Sequence, residues 1–235
     1  MTDMMFREDA YRTECPATIT AVNGRGGILL DQTVFYYTSG GQPGDRGSLI
    51  LADGTEISIA TTIQADGDIV HVPESDQALP GPGMAVTARI DWEYRHKLMR
   101  MHTAMHLMCA IVPCGVTGGQ VGDEKSRLDF DTGDHVLDKD AISEALNRLI
   151  AEDHPVSADW TTEEELDASP DLVRTMSVRP PRGSGRVRLL KIGEAVDLQP
   201  CGGTHVAHTG EIGPIRVAKI ENKGKRNRRV HIVFD

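Results

Sequence analysis

Read for its apolar positions, the chain changes period twice. From Ala17 to about Ile90 the apolar residues form short alternating or continuous runs, ATITAV, GGILLD, TVFYYT, GSLILA, TEISIATTI and DIVHV, broken by NGRGG, SGGQPGDRG and ADG. Runs of period two separated by Gly-rich breaks predict strands joined by tight turns, and their number and spacing suit a small antiparallel barrel. PESDQALPGPGM (73–84) is expected as a loop at the barrel's edge, with AVTARID as the closing strand. At Asp91, a candidate N-cap, the pattern becomes helical. WEYRHKLMRMHTAMHLMCAIV has no Gly or Pro and is rich in Leu and Met, which predicts one long helix over Trp92 to Ile111.

A second helix is expected over Lys139 to Glu152, where Ala141, Ile142, Ala145, Leu146, Leu149 and Ile150 recur at helical spacing, and a shorter one over Thr162 to Ala168. Beyond Pro180 the strand pattern returns in VRLLKIG, AVDLQP, GPIRVAKIE and RRVHIVF, with NKGKRN as a basic hairpin turn. The expected class is α+β: an N-terminal antiparallel β-barrel over residues 1–90, then an α+β domain over 91–235. There is no internal repeat, G-x-G-x-x-G fingerprint or Walker loop.

Composition narrows the function classes. A chain of 235 residues with 24 Gly and 12 Pro, mostly in the strand-rich regions, is a turn-rich globular protein. No apolar run approaches the ~20 residues of a membrane span. The first residues, MTDMMFREDAYRTE, lack the apolar core of a secretory signal, so a cytoplasmic location is expected. The four cysteines (15, 109, 114 and 201) then read as thiols or metal ligands rather than a disulfide framework. Net charge is -10, but it is unevenly spread: residues 1–172 hold 12 Lys/Arg against 30 Asp/Glu, and residues 173–235 hold 13 against 5. A local basic face of this kind suits a phosphate backbone, or is simply a solvated surface.

Two short motifs carry the candidate chemistry. HTAMH puts His102 and His106 four residues apart on one helix face, close enough for two imidazoles to share a cation. Thr103 stands where an H-E-x-x-H metalloprotease places its glutamate, so that glutamate is missing here. CGGTH supplies a second pair, Cys201 and His205, across a Gly-Gly turn. Together the four suit one Zn(II) per chain, which accepts sulfur and nitrogen in a tetrahedron. A closed structural zinc site is the plainer alternative, although its ligands usually lie closer together in sequence. His208 competes with His205 for the fourth position, and Cys109 and Cys114 read as packed thiols.

With HxxxH and CxxxH in this order and separation, the chain resembles the editing domain of alanyl-tRNA synthetase and, more closely, the freestanding AlaX editing proteins. DQTVFYYTSGGQPGDRG (31–47) resembles the family's Gly-rich segment, HTAMHL its metal helix, SRLDFD a connecting strand, and CGGTHVAHTGEIGPIRV its second metal segment. The likeness runs from about Ala17 to the C-terminus, and the barrel with GGQPGD resembles the medium-length type. It implies a zinc-binding editing domain after the barrel, with His205 as fourth ligand. It also implies hydrolysis, in trans, of the ester joining serine or glycine to the terminal ribose of tRNA(Ala), since no aminoacylation domain precedes residue 17.

An aminoacyl ester needs only a positioned water and stabilisation of the developing oxyanion, and zinc can assist either. With four protein ligands bound, the metal would expand its coordination, release His205, or only orient the acceptor end. Gln42 matches a glutamine near the family's site, and Thr33 a threonine that recognises the serine hydroxyl; a turn glutamine and a β-forming threonine are the plain readings. The two glycines before Gln42 are expected to allow close approach. Asp45 reads as a turn residue rather than a base. Lys223, Lys225, Arg226, Arg228 and Arg229 are the candidate contacts to the tRNA(Ala) acceptor end, with Arg182, Arg186 and Arg188 second. No membrane or protein partner is implied. The competing functions are a non-catalytic zinc-stabilised RNA-binding module and a metal hydrolase of another small ester or amide.

Overall fold

In the computed structural model, which describes residues 2–75, 77–168 and 185–235, the chain forms two compact units, Met1–His96 and Lys97–Asp235. The first contains strands β1 (Asp3–Met4), β2 (Glu14–Val22), β3 (Ile28–Leu30), β4 (Gln32–Thr33), β5 (Gly47–Leu51), β6 (Glu56–Ala65), β7 (Asp68–Pro73) and β8 (Ala85–Ile90). Six of them close into a barrel in the order β2-β3-β7-β6-β5-β8. Closure follows from β8, which pairs with β2 on one side and β5 on the other, so neither neighbour is left with an open edge. The period-two pattern places Cys15, Ala17 and Ile19 of β2, Ile57 and Ile59 of β6, and Val86, Ala88 and Ile90 of β8 in the core. The fold class expected from the pattern is the one observed.

TVFYYT departs from its expectation as a strand, since only Thr33 of that run lies in one. Val34, Phe35 and Tyr36 are buried as irregular backbone. Side chains take the place of a ladder there: Phe35 N–H donates to Thr33 Oγ1 at 3.0 Å and Tyr36 N–H to an Asp45 carboxylate oxygen at 2.6 Å.

The second unit holds most of helix α1 (Trp92–Ile111), followed by β9 (Gly115–Gln120), β10 (Lys125–Asp131), α2 (Lys139–Ala151), β11 (Val156–Thr162), α3 (Glu163–Asp167), β12 (Arg186–Ile192), β13 (Asp197–Pro200), β14 (Ile215–Asn222) and β15 (Asn227–Phe234). Two antiparallel sheets run β14-β15-β10-β9 and β11-β12-β13. Asp91 begins α1 as expected, its carboxylate accepting from Tyr94 N–H at 3.1 Å. Asp138 caps α2, which buries Ile142, Leu146 and Ile150 along one stripe.

The apolar pattern did not announce β9 or β11. Both are edge strands, β9 largely glycine and polar residues and β11 mostly exposed, so neither needs a buried face to hold its place.

Candidate metal centre

Every residue of α1 from Met101 to Cys109 is buried. A helix buried on all sides cannot leave polar side chains hydrated, so His102, Thr103 and His106 must find partners inside the protein. The second ligand pair comes from the end of β13. Cys201 N–H donates to Arg188 O at 3.0 Å, extending the β12–β13 ladder by one step before the chain turns back to His205. Arg188 braces that turn, its guanidinium donating to Cys201 O at 3.1 Å and Gly203 O at 3.0 Å. Among the described residues, nothing lies within 4 Å of the place a Cβ of residue 202 would take, so none of them crowds the turn at Gly202.

His102, His106, Cys201 and His205 converge, with one ligand atom from each all within 4.8 Å of one another. Cys201 Sγ lies 3.2 Å from His205 Nε2 and 3.6 Å from His102 Nε2. Zn–N bonds of ~2.0–2.1 Å and Zn–S of ~2.3 Å in a tetrahedron put ligand atoms roughly 3.3–3.6 Å apart, so the donor set fits that ion.

Two of the rings are aimed from behind. His106 Nδ1 donates to Asp197 Oδ2 at 2.9 Å, and both oxygens of that carboxylate accept from Gln199 Nε2, at 2.7 and 2.9 Å. His205 Nδ1 lies 3.2 Å from Thr103 Oγ1. These bonds direct the Nε2 atoms of His106 and His205 towards the cluster.

Charge follows the same design. Burial raises the Cys201 thiol, but the charges of His102 and His205 outweigh it and hold the thiol well below its ordinary pKa. Burial lowers His106, yet its hydrogen bonds to Asp197 and Cys201 hold it up at about 10. Burial, and then the charge of His102, push His205 well below the ordinary imidazole. A thiolate facing an imidazolium is an arrangement in which a cation can replace the proton between them.

The other residues singled out in the sequence lie elsewhere. His208 points to Asp153, with its Nδ1 3.4 Å from that residue's carbonyl and its side chain about half exposed. Cys109 is buried and Cys114 half-buried, and neither belongs to the cluster of possible ligands. In the barrel unit, Gln42 and Thr33 are fully buried. Gly40 and Gly41, before Gln42, have φ of +57° and +85°, so the turn itself requires them.

The Thr33 hydroxyl is already engaged. Burial lowers His71 to about 4, so its ring is neutral. Its Nδ1–H donates to Ile28 O at 3.0 Å, which leaves Nε2 to accept the Thr33 proton at 2.8 Å. Asp45 is spent on a buried ion pair: Arg95 Nε reaches its oxygens at 2.9 and 3.0 Å and Arg95 Nη2 also donates to it, while the same guanidinium donates to Val34 O and Ala10 O.

Among the basic residues, Lys223 and Lys225 are exposed on the β14–β15 turn. Arg229 is bound through two nitrogens to Asp129, Arg226 pairs with Asp131, and Arg228 donates to Gly224 O and Asn227 O. Arg186 lies over the Trp160 ring at 5.3 Å, and Arg182 falls outside the described residues.

Sequence reasoning passed over Thr103, Asp197, Gln199, His71 and Arg95. Asp197 and Gln199 had a usable signal, since polar residues two apart in a strand running into Cys201 must share a face with it. Thr103 had none, because its partner is 102 residues away.

Two family models match the chain: "Threonyl and Alanyl tRNA synthetase second additional domain" over residues 187–231 and "tRNA synthetases class II (A)" over residues 9–94. The alanyl-tRNA editing protein AlaX-M of Methanosarcina acetivorans is 36% identical over 100% of this chain and 99% of its own length. AlaX-L of Pyrococcus horikoshii is 32% identical over 98% of this chain and 57% of its own. The alanine–tRNA ligase of Pyrobaculum neutrophilum is 35% identical over 92% of this chain but 25% of its own length. No helix of the described residues is long and apolar enough to cross a membrane.

Proposed function

The chain belongs to the AlaX-M family of alanyl-tRNA editing proteins, and from that premise we propose that it is a zinc-dependent deacylase acting in trans on tRNA(Ala) mischarged with serine or glycine. The observation that carries the proposal is the buried convergence of His102, His106, Cys201 and His205 in a chain matched along 99% of an AlaX-M protein. The scissile bond is the ester between the amino acid and the terminal ribose. Water adds to its carbonyl carbon, an oxyanion forms, and the ribose hydroxyl leaves with a proton.

His102, His106, Cys201 and His205 would hold one zinc ion. Bound there, zinc supplies electrophilic assistance to an ester carbonyl or a water molecule. Asp197 and Thr103 fix the directions of two of the rings, which leaves neither His106 nor His205 free to serve as general base. Gln42 is proposed to donate from its amide to the developing oxyanion. Thr33 is proposed to recognise serine, and because its proton is given to His71 it would meet the amino acid's hydroxyl as an acceptor.

The acceptor end of the tRNA is proposed to meet the basic turn, chiefly at Lys223 and Lys225. Arg226, Arg228 and Arg229 are secondary there, since Asp131 and Asp129 offset two of the three charges. Residues 1–90 are proposed as the domain presenting Gln42 and Thr33, and residues 91–235 as the metal-bearing domain.

The test is hydrolysis of Ser-tRNA(Ala), Gly-tRNA(Ala) and a mischarged tRNA of another identity by the wild type and by His102→Ala, Cys201→Ala and Gln42→Ala. Cys201→Ala should lose activity together with zinc, and Gln42→Ala should lose activity while retaining zinc. Full activity in Cys201→Ala would sink the metal reading. A zinc-loaded wild type that hydrolyses none of the three would leave an RNA-binding module.

A further inference from the structure

The hydroxyl of Thr103 is fully buried one residue after His102, and its hydrogen-bonding capacity can be counted completely. It has one proton and two lone pairs. The proton goes to Met99 O at 2.9 Å, a bond within the same helix that a carbonyl can only accept. One lone pair accepts from Val206 N–H at 3.3 Å, and the other faces His205 Nδ1 at 3.2 Å. With its single proton committed, Thr103 can only accept from that nitrogen. His205 must therefore carry its proton on Nδ1 and present the lone pair of Nε2, the atom 3.2 Å from Cys201 Sγ.

The same count separates His205 from His106. The Nδ1–H of His106 is held at 2.9 Å by the carboxylate of Asp197, which Gln199 fixes in turn. A charged acceptor makes the stronger hydrogen bond and raises the basicity of the opposite ring nitrogen. A neutral hydroxyl already shared with a backbone amide does this less.

We infer that Thr103 is a positioning residue that fixes His205 as an Nδ1–H tautomer, and that its neutral hydroxyl leaves His205 more weakly held on a metal than the carboxylate-backed His106. The inference rests on the zinc reading above. It assigns to the sequence a built-in asymmetry: of these two histidines, His205 is the one that yields when an incoming group needs a position.

The test is zinc affinity of the full chain, measured by competition with a chromophoric chelator, for the wild type, Thr103→Val, Thr103→Ser and Asp197→Asn. Losing such a partner typically costs 10- to 100-fold in metal affinity. Thr103→Val keeps the shape without the hydroxyl and should weaken zinc by about tenfold, while Asp197→Asn should weaken it by more, towards about a hundredfold. Thr103→Ser should stay close to wild type. A wild type that binds no zinc defeats the metal reading itself. Zinc bound by the wild type and held equally well by Thr103→Val overturns the positioning role, and a greater loss in Thr103→Val than in Asp197→Asn overturns the asymmetry. Nitrogen-15 spectra of the zinc-loaded wild type decide the tautomer without any variant: a proton on His205 Nδ1 with metal on Nε2 is expected, and metal on Nδ1 overturns the inference.

Discussion

Replacing Arg95 by methionine should cost the barrel unit about 4 kcal/mol. The side chain is fully buried, as is Asp45, and its guanidinium donates to that carboxylate through Nε and Nη2 as well as to Val34 O and Ala10 O. Methionine fills much of the same volume but leaves Asp45 buried beside Tyr36 N–H with no counter-charge. Removing one partner of a buried ion pair typically costs ~3–5 kcal/mol, most of it the desolvation of the remaining charge. With a urea m-value of ~2 kcal/mol/M, the unfolding midpoint should fall by about 2 M. The chain has two tryptophans, Trp92 and Trp160, one in each unit, so a Trp160→Phe background lets fluorescence report on the barrel unit alone. Asp45→Asn added to Arg95→Met should recover part of the loss, because the stranded charge is then gone. Deacylation should fall as well, since Asp45 and Gln42 share one loop. A loss below ~1 kcal/mol, or effects of the two substitutions that simply add, would refute the reasoning that this pair holds the loop.

Other predictions bear on the remaining groups. His71 has a folded pKa of about 4 against 6.5 when unfolded, so the unfolded chain binds the proton first and stability falls as pH drops from 6.5 to 4. This contribution amounts to about 3 kcal/mol at ~1.4 kcal/mol per pH unit, and a His71→Gln variant should lack it in urea titrations at pH 7 and 5. A wild type and variant with parallel pH profiles would remove His71 from the account. Gly202→Ala should leave thermal unfolding and zinc content unchanged, since a Cβ there meets nothing within 4 Å among the described residues, while slowing deacylation if the acceptor end uses that space. Unaltered deacylation would mean the space is idle. Replacing Lys223 and Lys225 together by serine should weaken tRNA binding and reduce the slope of log affinity against log salt by about 1.5 in filter-binding assays. An unchanged slope would place the tRNA elsewhere.

The barrel, the long helix and the two residue pairs of the His/Cys cluster were legible in the sequence because each rests on local rules. Alternation in β2, β6 and β8 follows from a pleated strand with one dry face, and the HxxxH and CxxxH spacings follow from one helical turn and one tight turn. Donor chemistry then joined the two motifs, and the resemblance favoured His205 over His208 as the fourth member.

Tertiary structure decided what depends on partners distant in sequence. That TVFYYT leaves the strand conformation after Thr33 reflects amide bonds taken by Thr33 and Asp45 side chains, which no propensity scale registers. Asp45 became an ion-pair partner through a residue 50 positions away. Arg229 and Arg226, nominated for RNA by their charge, meet Asp129 and Asp131 across a strand pairing that only the sheet register fixes. Thr103, which in the sequence marked only a missing glutamate, became the acceptor that orients His205. Local periodicity sets which residues face inward, but hydrogen-bond capacity is shared among groups from the whole chain, and only the folded molecule determines which proton goes to which lone pair.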